Sequence, residues 1–460
     1  MTDAPARTVS VVVTVLALSA VTWLVAGAGI VLQPDWPGWL IAEGAAWLLF
    51  AAAVVLLRSV PNRIVPALVI GGAVVIGVAA LAGPPDTSTD SARYAWDGIV
   101  QDAGISPYRY VPADAALRPL RPDWLFPAVQ APSGGALRCP DSAVHRTTQV
   151  GASGMICTAI NRPLVPTIYP PVAEAAFAAV RFLVAPTVAY GPMQVLGLLT
   201  VLGTTAVLLV TLRRSGDDPR RAAWFAWCPL VASEAVTNAH VDGLATLLAV
   251  AGTVLALRGA TIRGGVLLGA AITTKVLPVL VVPPLLRRSP VRLLGAAAGT
   301  VVVVYLPHVV ASGSRVLGYL PGYLNEEGYD NGTRSVLVSL IVPPPLVTPT
   351  SALLLAVVTV LVLIKADPAA PWAGQAVMIG SALLLISPRF PWYALLLTAF
   401  AAAAGRWEWF ALPLVLIGAR AGVPLPLFRA ELCAVLVLVV VVGLVRRRAA
   451  RGAPRFLRAA

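Results

Sequence analysis

Residues 64–112 read IVPALVIGGAVVIGVAALAGPPDTSTDSARYAWDGIVQDAGISPYRYVP. The first 19 of them, 64–82, hold no charged side chain, close to the length of about 20 residues at which an apolar helix crosses a bilayer. From residue 86 the character changes. Asp86, Asp90, Asp97 and Asp102 fall close together with Arg93, Arg109 and four aromatic rings. Carboxylates gathered where an apolar helix leaves the bilayer are placed to do chemistry on something polar brought by a lipid. This boundary sets the expected fold class, an all-α polytopic integral membrane protein, and puts Asp90 and Asp97 at its chemical centre.

The composition agrees. Of the 460 residues 58% are hydrophobic and 12% charged, about half the charge of a soluble domain. No alternation of short strands suggests a β-barrel. The net charge of +13 raises nucleic acid as a partner, but its location argues otherwise. Arg58, Arg63, Arg213, Arg214, Arg220, Arg221, Arg258, Arg263, Arg287, Arg288 and Arg292 sit in short connections, and the rest of the cluster is the tail from Arg446. That is the positive-inside pattern, with anionic cytoplasmic headgroups as partners. No basic patch interleaves with stacking aromatics, so nucleic acid is excluded. One arginine precedes the first apolar run, which is too long for a cleaved signal and reads as a retained span.

With the N-terminus inside, spans are expected near 8–31, 38–57 and 63–83, the third delivering the acidic stretch to the outside. The loop 84–166 is long enough to cross regardless of charge; its seven Arg and seven Asp cancel. Its prolines and glycines predict an ordered cap of turns and short helices. Residues 168–186 carry Glu174 and Arg181 on one face and predict a helix lying on the outer leaflet. Further spans follow near 190–212, 222–236 and 241–257. A broken pair, 264–273 and 276–286, is flanked by arginines on both sides, so Lys275 lies at its outer tip. Broken helices are tolerated where they line a cavity. The last spans fall near 291–310, 349–365, 372–387, 391–405, 407–420 and 429–446. Both termini are then cytoplasmic. The resulting units are 1–83, the outer loop with its interfacial helix at 84–187, a core at 188–310, a second outer loop at 311–348, C-terminal spans at 349–446 and a basic tail at 447–460.

Each polar constellation has two readings. Asp90 is a general base within reach of an acceptor hydroxyl, or it caps a helix starting at Ser91. Asp97 shares the chemistry, or pairs with Arg93 one turn back. Residues 228–243, CPLVASEAVTNAHVDG, place Glu234, Asn238, His240 and Asp242 between two apolar helices, where such groups are costly unless paired or in use. They bind substrate, or His240 and Asp242 lock each other. Lys275 is one of only two lysines; its ammonium meets a lipid phosphate or pairs with Glu234 or Asp242. In 387–393, SPRFPWY, Arg389 clamps a phosphate, or Trp392 and Tyr393 anchor the interface. The second outer loop holds YLNEEGYDNG at 323–332, a sugar contact or a solvated turn. Cys139 and Cys157 both lie in the oxidising outer loop and are expected to form a disulfide. No metal site is expected, since the other histidines, His145 and His308, are elsewhere.

In order along the chain, DSARY, WDG and GISPYRY, then TIYPP, the CPL segment, TKVLP and PWY resemble the GT-C superfamily of polyprenyl-phosphate-sugar glycosyltransferases, and within it the actinobacterial mannosyltransferase-like branch. The resemblance runs from about residue 84 to 393. It implies a GT-C-like bundle of about 12–14 transmembrane helices with a large extracytoplasmic first loop, in the plasma membrane. It also implies an inverting transfer of a sugar, most often mannose, from a polyprenyl-phosphate carrier to a glycan or glycolipid, without a cofactor. The family's base corresponds to Asp90. The second acidic position of its usual pair is Thr89 or Ser91 here, which counts against a metal-assisted variant. Arg93, Lys275 and Arg389 are the candidates for the departing phosphate, and Tyr94, Tyr169, Glu234, Asn238, His240, Asp242, Trp392 and Tyr393 for other substrate contacts. The alternative from another class is a transporter or flippase of a lipid-linked sugar. It would need gating on both faces, whereas the ionisable residues gather on one.

Overall fold

The computed structural model describes residues 36–130, 137–141, 144–151 and 154–452. The expected first span at 8–31 and the end of the basic tail lie outside them. The described chain is all-α and polytopic, with one small hairpin.

Helix α1 (Trp36–Leu56) turns through the Arg58 and Arg63 connection into α2 (Val65–Ala80), which starts with a proline in its first turn and carries no charge. The acidic segment then leads into α3 (Asp90–Asp102), amphipathic and almost wholly buried against α4 (Pro171–Phe182). Gly98 allows that contact. A Cβ there would stand 2.6 Å from the Phe177 carbonyl oxygen, so the glycine of the WDG run is a packing residue. Tyr94 stacks on Phe177 at 4.3 Å, with Tyr169 edge-on at 4.9 Å. Between α3 and α4 the loop holds a hairpin, β1 (Arg146–Val150) and β2 (Gly154–Thr158), antiparallel with Arg146 opposite Thr158. Turns and short helices alone were expected there; Thr147, Thr148, Ile156 and Thr158 are β-branched, which favours strands. The structure joins Cys139 to Cys157 of β2, with Cα atoms 5.5 Å apart.

Helix α5 (Gly191–Arg214) runs beside a short α6 (Ala222–Ala226), a π-helical turn (Val231–Thr237) and α7 (Asp242–Leu257). Gly197 sits where α5 meets the π turn: a Cβ there would fall 1.9 Å from the Ala235 carbonyl oxygen. The π turn and α7 meet at 111°. Then come α8 (Thr261–Ile272), two short 3₁₀ turns, α9 (Pro290–Ser312), α10 (Leu320–Glu326), α11 (Pro344–Lys365), α12 (Trp372–Ile386), α13 (Ala394–Ala404), α14 (Ala411–Arg420) and α15 (Leu425–Gly452). The predicted broken pair around Lys275 is present as α8 and the 3₁₀ turns Leu277–Val281 and Pro283–Leu285.

Among the described residues five helices are long and apolar enough to cross a membrane, or six if the bent pair counts as one span. Four shorter apolar helices of 10–17 residues, Val65–Ala80, Thr261–Ile272, Trp372–Ile386 and Pro391–Ala404, account for part of the distance from the expected 12–14, and the expected span at 8–31 lies outside the described residues. The long helices α9, α11 and α15 present Val302, Val303, Val310, Leu353, Ile364, Val437 and Val445 outward, an apolar exterior that suits lipid rather than water.

The two ends of the helices differ. At one, arginines cap helix carbonyls: Arg220 Nε donates to Leu57 O (2.9 Å), Arg288 to Leu257 O (3.0 Å) and Arg287 to Ala366 O (2.9 Å). At the other, Thr237 Oγ1 donates to Ala80 O (2.8 Å) and Gln194 Nε2 to Gly83 O (2.9 Å). That second end carries the acidic segment.

Candidate active site

Asp90 is the first residue of α3. It does not cap a helix beginning at Ser91, because the helix already begins at Asp90, with Thr89 at the cap position and no side-chain cap; the Asp90 N–H donates to Ser88 Oγ at 3.1 Å. Asp90 Oδ1 accepts from Asn161 Nδ2 at 3.0 Å. Its Oδ2 lies 3.9 Å from His240 Nε2, outside hydrogen-bond reach, and the side chain is 15% exposed. Arg162 and Lys275 are both within electrostatic range of it.

Asp97 is one helical turn from Arg93, and both its oxygens accept from Arg93 Nε at 2.8 Å. The pair is buried. Behind it lies Glu174, fully buried, accepting from Thr167 Oγ1 (2.6 Å) and Gln101 Nε2 (2.9 Å). Burial, and after it the charge of Asp97, hold the Glu174 carboxyl well above the usual glutamate range. Arg93, Asp97, Gln101, Thr167 and Glu174 therefore form a polar seam between α3 and α4. Tyr94 is enclosed in the adjoining aromatic cluster and is 1% exposed.

The break between the π turn and α7 grips the acidic segment. Asn238 spends its whole amide there. Oδ1 accepts the backbone N–H of Asp86 (2.8 Å) and of Thr87 (2.9 Å), while Nδ2 donates to Asp86 Oδ1 (2.9 Å) and Ser233 O (3.2 Å). Glu234 Oε2 accepts from Thr87 Oγ1 at 3.0 Å. Ala239, between Asn238 and His240, has φ +55°, left-handed backbone that costs a non-glycine residue roughly 1–3 kcal/mol and is usually retained for a reason.

His240 does not lock Asp242, as one reading expected. Its Nδ1 faces the Glu234 carbonyl oxygen (3.0 Å) and carboxylate Oε2 (3.1 Å). Two acceptors require that Nδ1 carry the proton. Nε2 is left to Ser88 Oγ at 3.0 Å, and the ring stacks on Trp392 at 4.0 Å. Asp242 instead pairs with Lys275, Oδ2 to Nζ 3.1 Å. The same ammonium lies 5.7 Å from the Tyr169 ring and 5.4 Å from that of Tyr393. Tyr393 and Tyr323 share a hydroxyl hydrogen bond of 2.8 Å.

A cavity of about 370 Å³ opens beside this group, lined by Glu326, Glu327, Arg334, Ser387, Arg389 and Arg420, with Thr333, Val336, Phe390 and Ala419. Glu326 pairs with Arg162 at 2.8 Å, and Glu327 with Arg334. Arg389 is exposed and has no ion pair among the described residues. Arg420 donates through Nε to the Thr87 carbonyl at 3.0 Å and through Nη2 to the same oxygen.

The sequence-predicted residues thus divide. Asp90, Asn238, His240, Asp242, Lys275, Tyr169, Trp392 and Tyr393 converge at one end of the helices, with Glu234 beneath; Arg389 is in the adjoining cavity; Arg93, Tyr94 and Asp97 are packed into the α3–α4 layer. Ser88, Asn161, Arg162, Tyr323 and Arg420 were not singled out beforehand. Tyr323 lies in the flagged loop at 323–332, but nothing local marks Arg420, which ends an ordinary apolar helix.

Residues 167–388 match the model of glycosyltransferase family 87, as a GT-C-type glycosyltransferase would. The match supports glycosyltransferase activity. It takes in Tyr169, the 228–243 segment and Lys275, and leaves Asp90 and Trp392 outside. No curated protein and no solved structure matches the chain.

Proposed function

We propose that the chain is an inverting glycosyltransferase that moves a sugar, mannose in the first instance, from a polyprenyl-phosphate carrier to an extracytoplasmic glycan or glycolipid. It sits in the plasma membrane with both termini cytoplasmic. Asp90 is the general base. The observation that carries this is Asp90, whose side chain is partly open to solvent and whose Oδ2 has no hydrogen-bond donor among the described residues. By contrast Asp97 is closed onto Arg93, Asp242 onto Lys275, and Glu234 onto Thr87 and His240.

The acceptor hydroxyl gives its proton to Asp90 as its oxygen bonds to the anomeric carbon. The bond from that carbon to the phosphate oxygen breaks on the opposite face. A phosphate leaves without being protonated, so a base and cations suffice. Of the three cations considered for it, Arg93 and Lys275 have carboxylate partners, which makes Arg389 the favoured contact. Lys275 is left to hold Asp242 and to set the field around Asp90.

Purified protein in vesicles, given labelled polyprenyl-phosphate mannose on one side and acceptor glycans, tests the reading. Labelled glycan is the expected product. Carrier appearing on the opposite leaflet with no transfer would replace the reading with a flippase.

A further inference from the structure

We infer that Arg420 is a positioning residue that couples a phosphate in the arginine-lined cavity to the segment carrying Asp90. The inference rests on Asp90 as the base and on the cavity as the phosphate site, and adds how filling one sets the other.

Arg420 belongs to both places. It lines the cavity with Arg389 and Arg334, and its Nε and Nη2 meet the Thr87 carbonyl. A guanidinium has five N–H donors in a fixed plane. Two are spent on Thr87. The Nη1 group has no hydrogen bond among the described residues, and the residue is exposed and lines the cavity. A phosphate oxygen taking those remaining donors would hold the plane of the guanidinium, and with it the Thr87 carbonyl.

Thr87 is a sensitive place to hold. Its N–H goes to Asn238 and its hydroxyl to Glu234. The next residue, Ser88, takes the Asp90 amide and meets His240. Two residues, Ser88 and Thr89, separate the Arg420 contact from Asp90, with no helix between them to absorb a shift. Arg389 has no such link: it reaches the cavity alone. The two arginines therefore have different jobs, Arg389 for affinity and Arg420 for ordering the base. By linkage, a phosphate that binds better when Arg420 holds Thr87 must in turn stabilise that arrangement.

The test is amide hydrogen exchange at 86–90 in the full-length protein in detergent, with undecaprenyl phosphate, inorganic phosphate or neutral undecaprenol. In the wild type undecaprenyl phosphate should slow exchange about tenfold, a usual size for coupling between sites, and undecaprenol should not. A matching effect of inorganic phosphate would mean the anion alone suffices; an effect of the lipid only would mean the carrier must seat it. Arg420→Gln keeps a donor for Thr87 but loses the charge, so the exchange of the free protein should stay near wild type while the phosphate response disappears. Arg420→Lys should restore part of it. Arg389→Ala should give the full response at higher lipid concentration. In turnover, Arg420→Gln should lower kcat at saturating donor, and Arg389→Ala should raise KM. An unchanged response in Arg420→Gln, or none in the wild type, overturns the inference. Sugar transfer without ordering sinks it alone, whereas ordering without transfer sinks the proposed function and leaves the coupling.

Discussion

At the scale of single residues, the difference between Asp90 and Asp97 is one of partners. Both are aspartates on one face-sharing helix, and Arg93 has claimed only one of them. Removing one member of a buried ion pair leaves the other charge stranded, which costs about 3–5 kcal/mol. Asp97→Asn is therefore expected to lower thermal stability in detergent markedly, while affecting turnover of the surviving folded protein little. Differential scanning fluorimetry beside activity per folded molecule checks it. The Lys275–Asp242 pair makes a similar case with a sharper readout. Lys275→Met and Asp242→Asn should each destabilise, and the double variant should be more stable than either single one. If the two losses simply add, the pair is not what holds these groups in place.

At the scale of elements, glycines and buried carboxyls decide how α3, α4, α5 and the π turn approach. Gly197→Ala would drive a methyl into the Ala235 carbonyl. It should disturb the Asn238 grip on the acidic segment, seen as faster amide exchange at 86–87. Glu174 gives a pH signature. Its carboxyl sits above the ordinary range through burial and the neighbouring Asp97, so the folded state holds its proton more tightly than the unfolded one. That contribution is full below the unfolded value, near 4.5, and is lost as pH rises toward the folded one. Wild-type Tm should fall on going upward from about pH 5 for this reason, and Glu174→Gln should flatten that fall. An unchanged fall in the variant would mean that Glu174 is ionised in the fold over this range.

Much of the element plan was readable in the sequence, and the reason is physical. Runs without charge, closed by prolines and arginines, have few ways to be anything but membrane helices; α9, α11 and α12 fall where the runs predict them, and of the broken pair at Lys275 the first half is a helix while the second, expected at 276–286, forms only 3₁₀ turns. The hairpin Arg146–Thr158 was not foreseen because its strands are short and its alternation weak. The site was half readable. Glu234, Asn238, His240 and Asp242 stood out because polar groups between apolar helices need a use, but who pairs with whom depends on a 111° bend that no local spacing encodes. Arg420 contacts Thr87 across 333 positions of sequence; such a contact leaves no trace in either neighbourhood.

At the scale of the whole molecule, the helices separate an arginine-capped end from an end that carries Asp90, Lys275 and the cavity. In the orientation proposed above, which follows the positive-inside pattern, the second end faces the outside. Single cysteines placed at residues 103 and 331 should react with an impermeant maleimide in intact cells, and one at residue 259 only after lysis. The reverse pattern would turn the molecule over and remove an extracytoplasmic acceptor. The central claim, that Asp90 takes the acceptor's proton, is tested most directly by Asp90→Asn. The amide keeps the size of the side chain and removes its basicity. Transfer from polyprenyl-phosphate mannose should fall by about 10²–10⁴-fold, as for loss of a general base, with donor affinity nearly unchanged. Turnover close to wild type in a well-folded Asp90→Asn protein would contradict the claim.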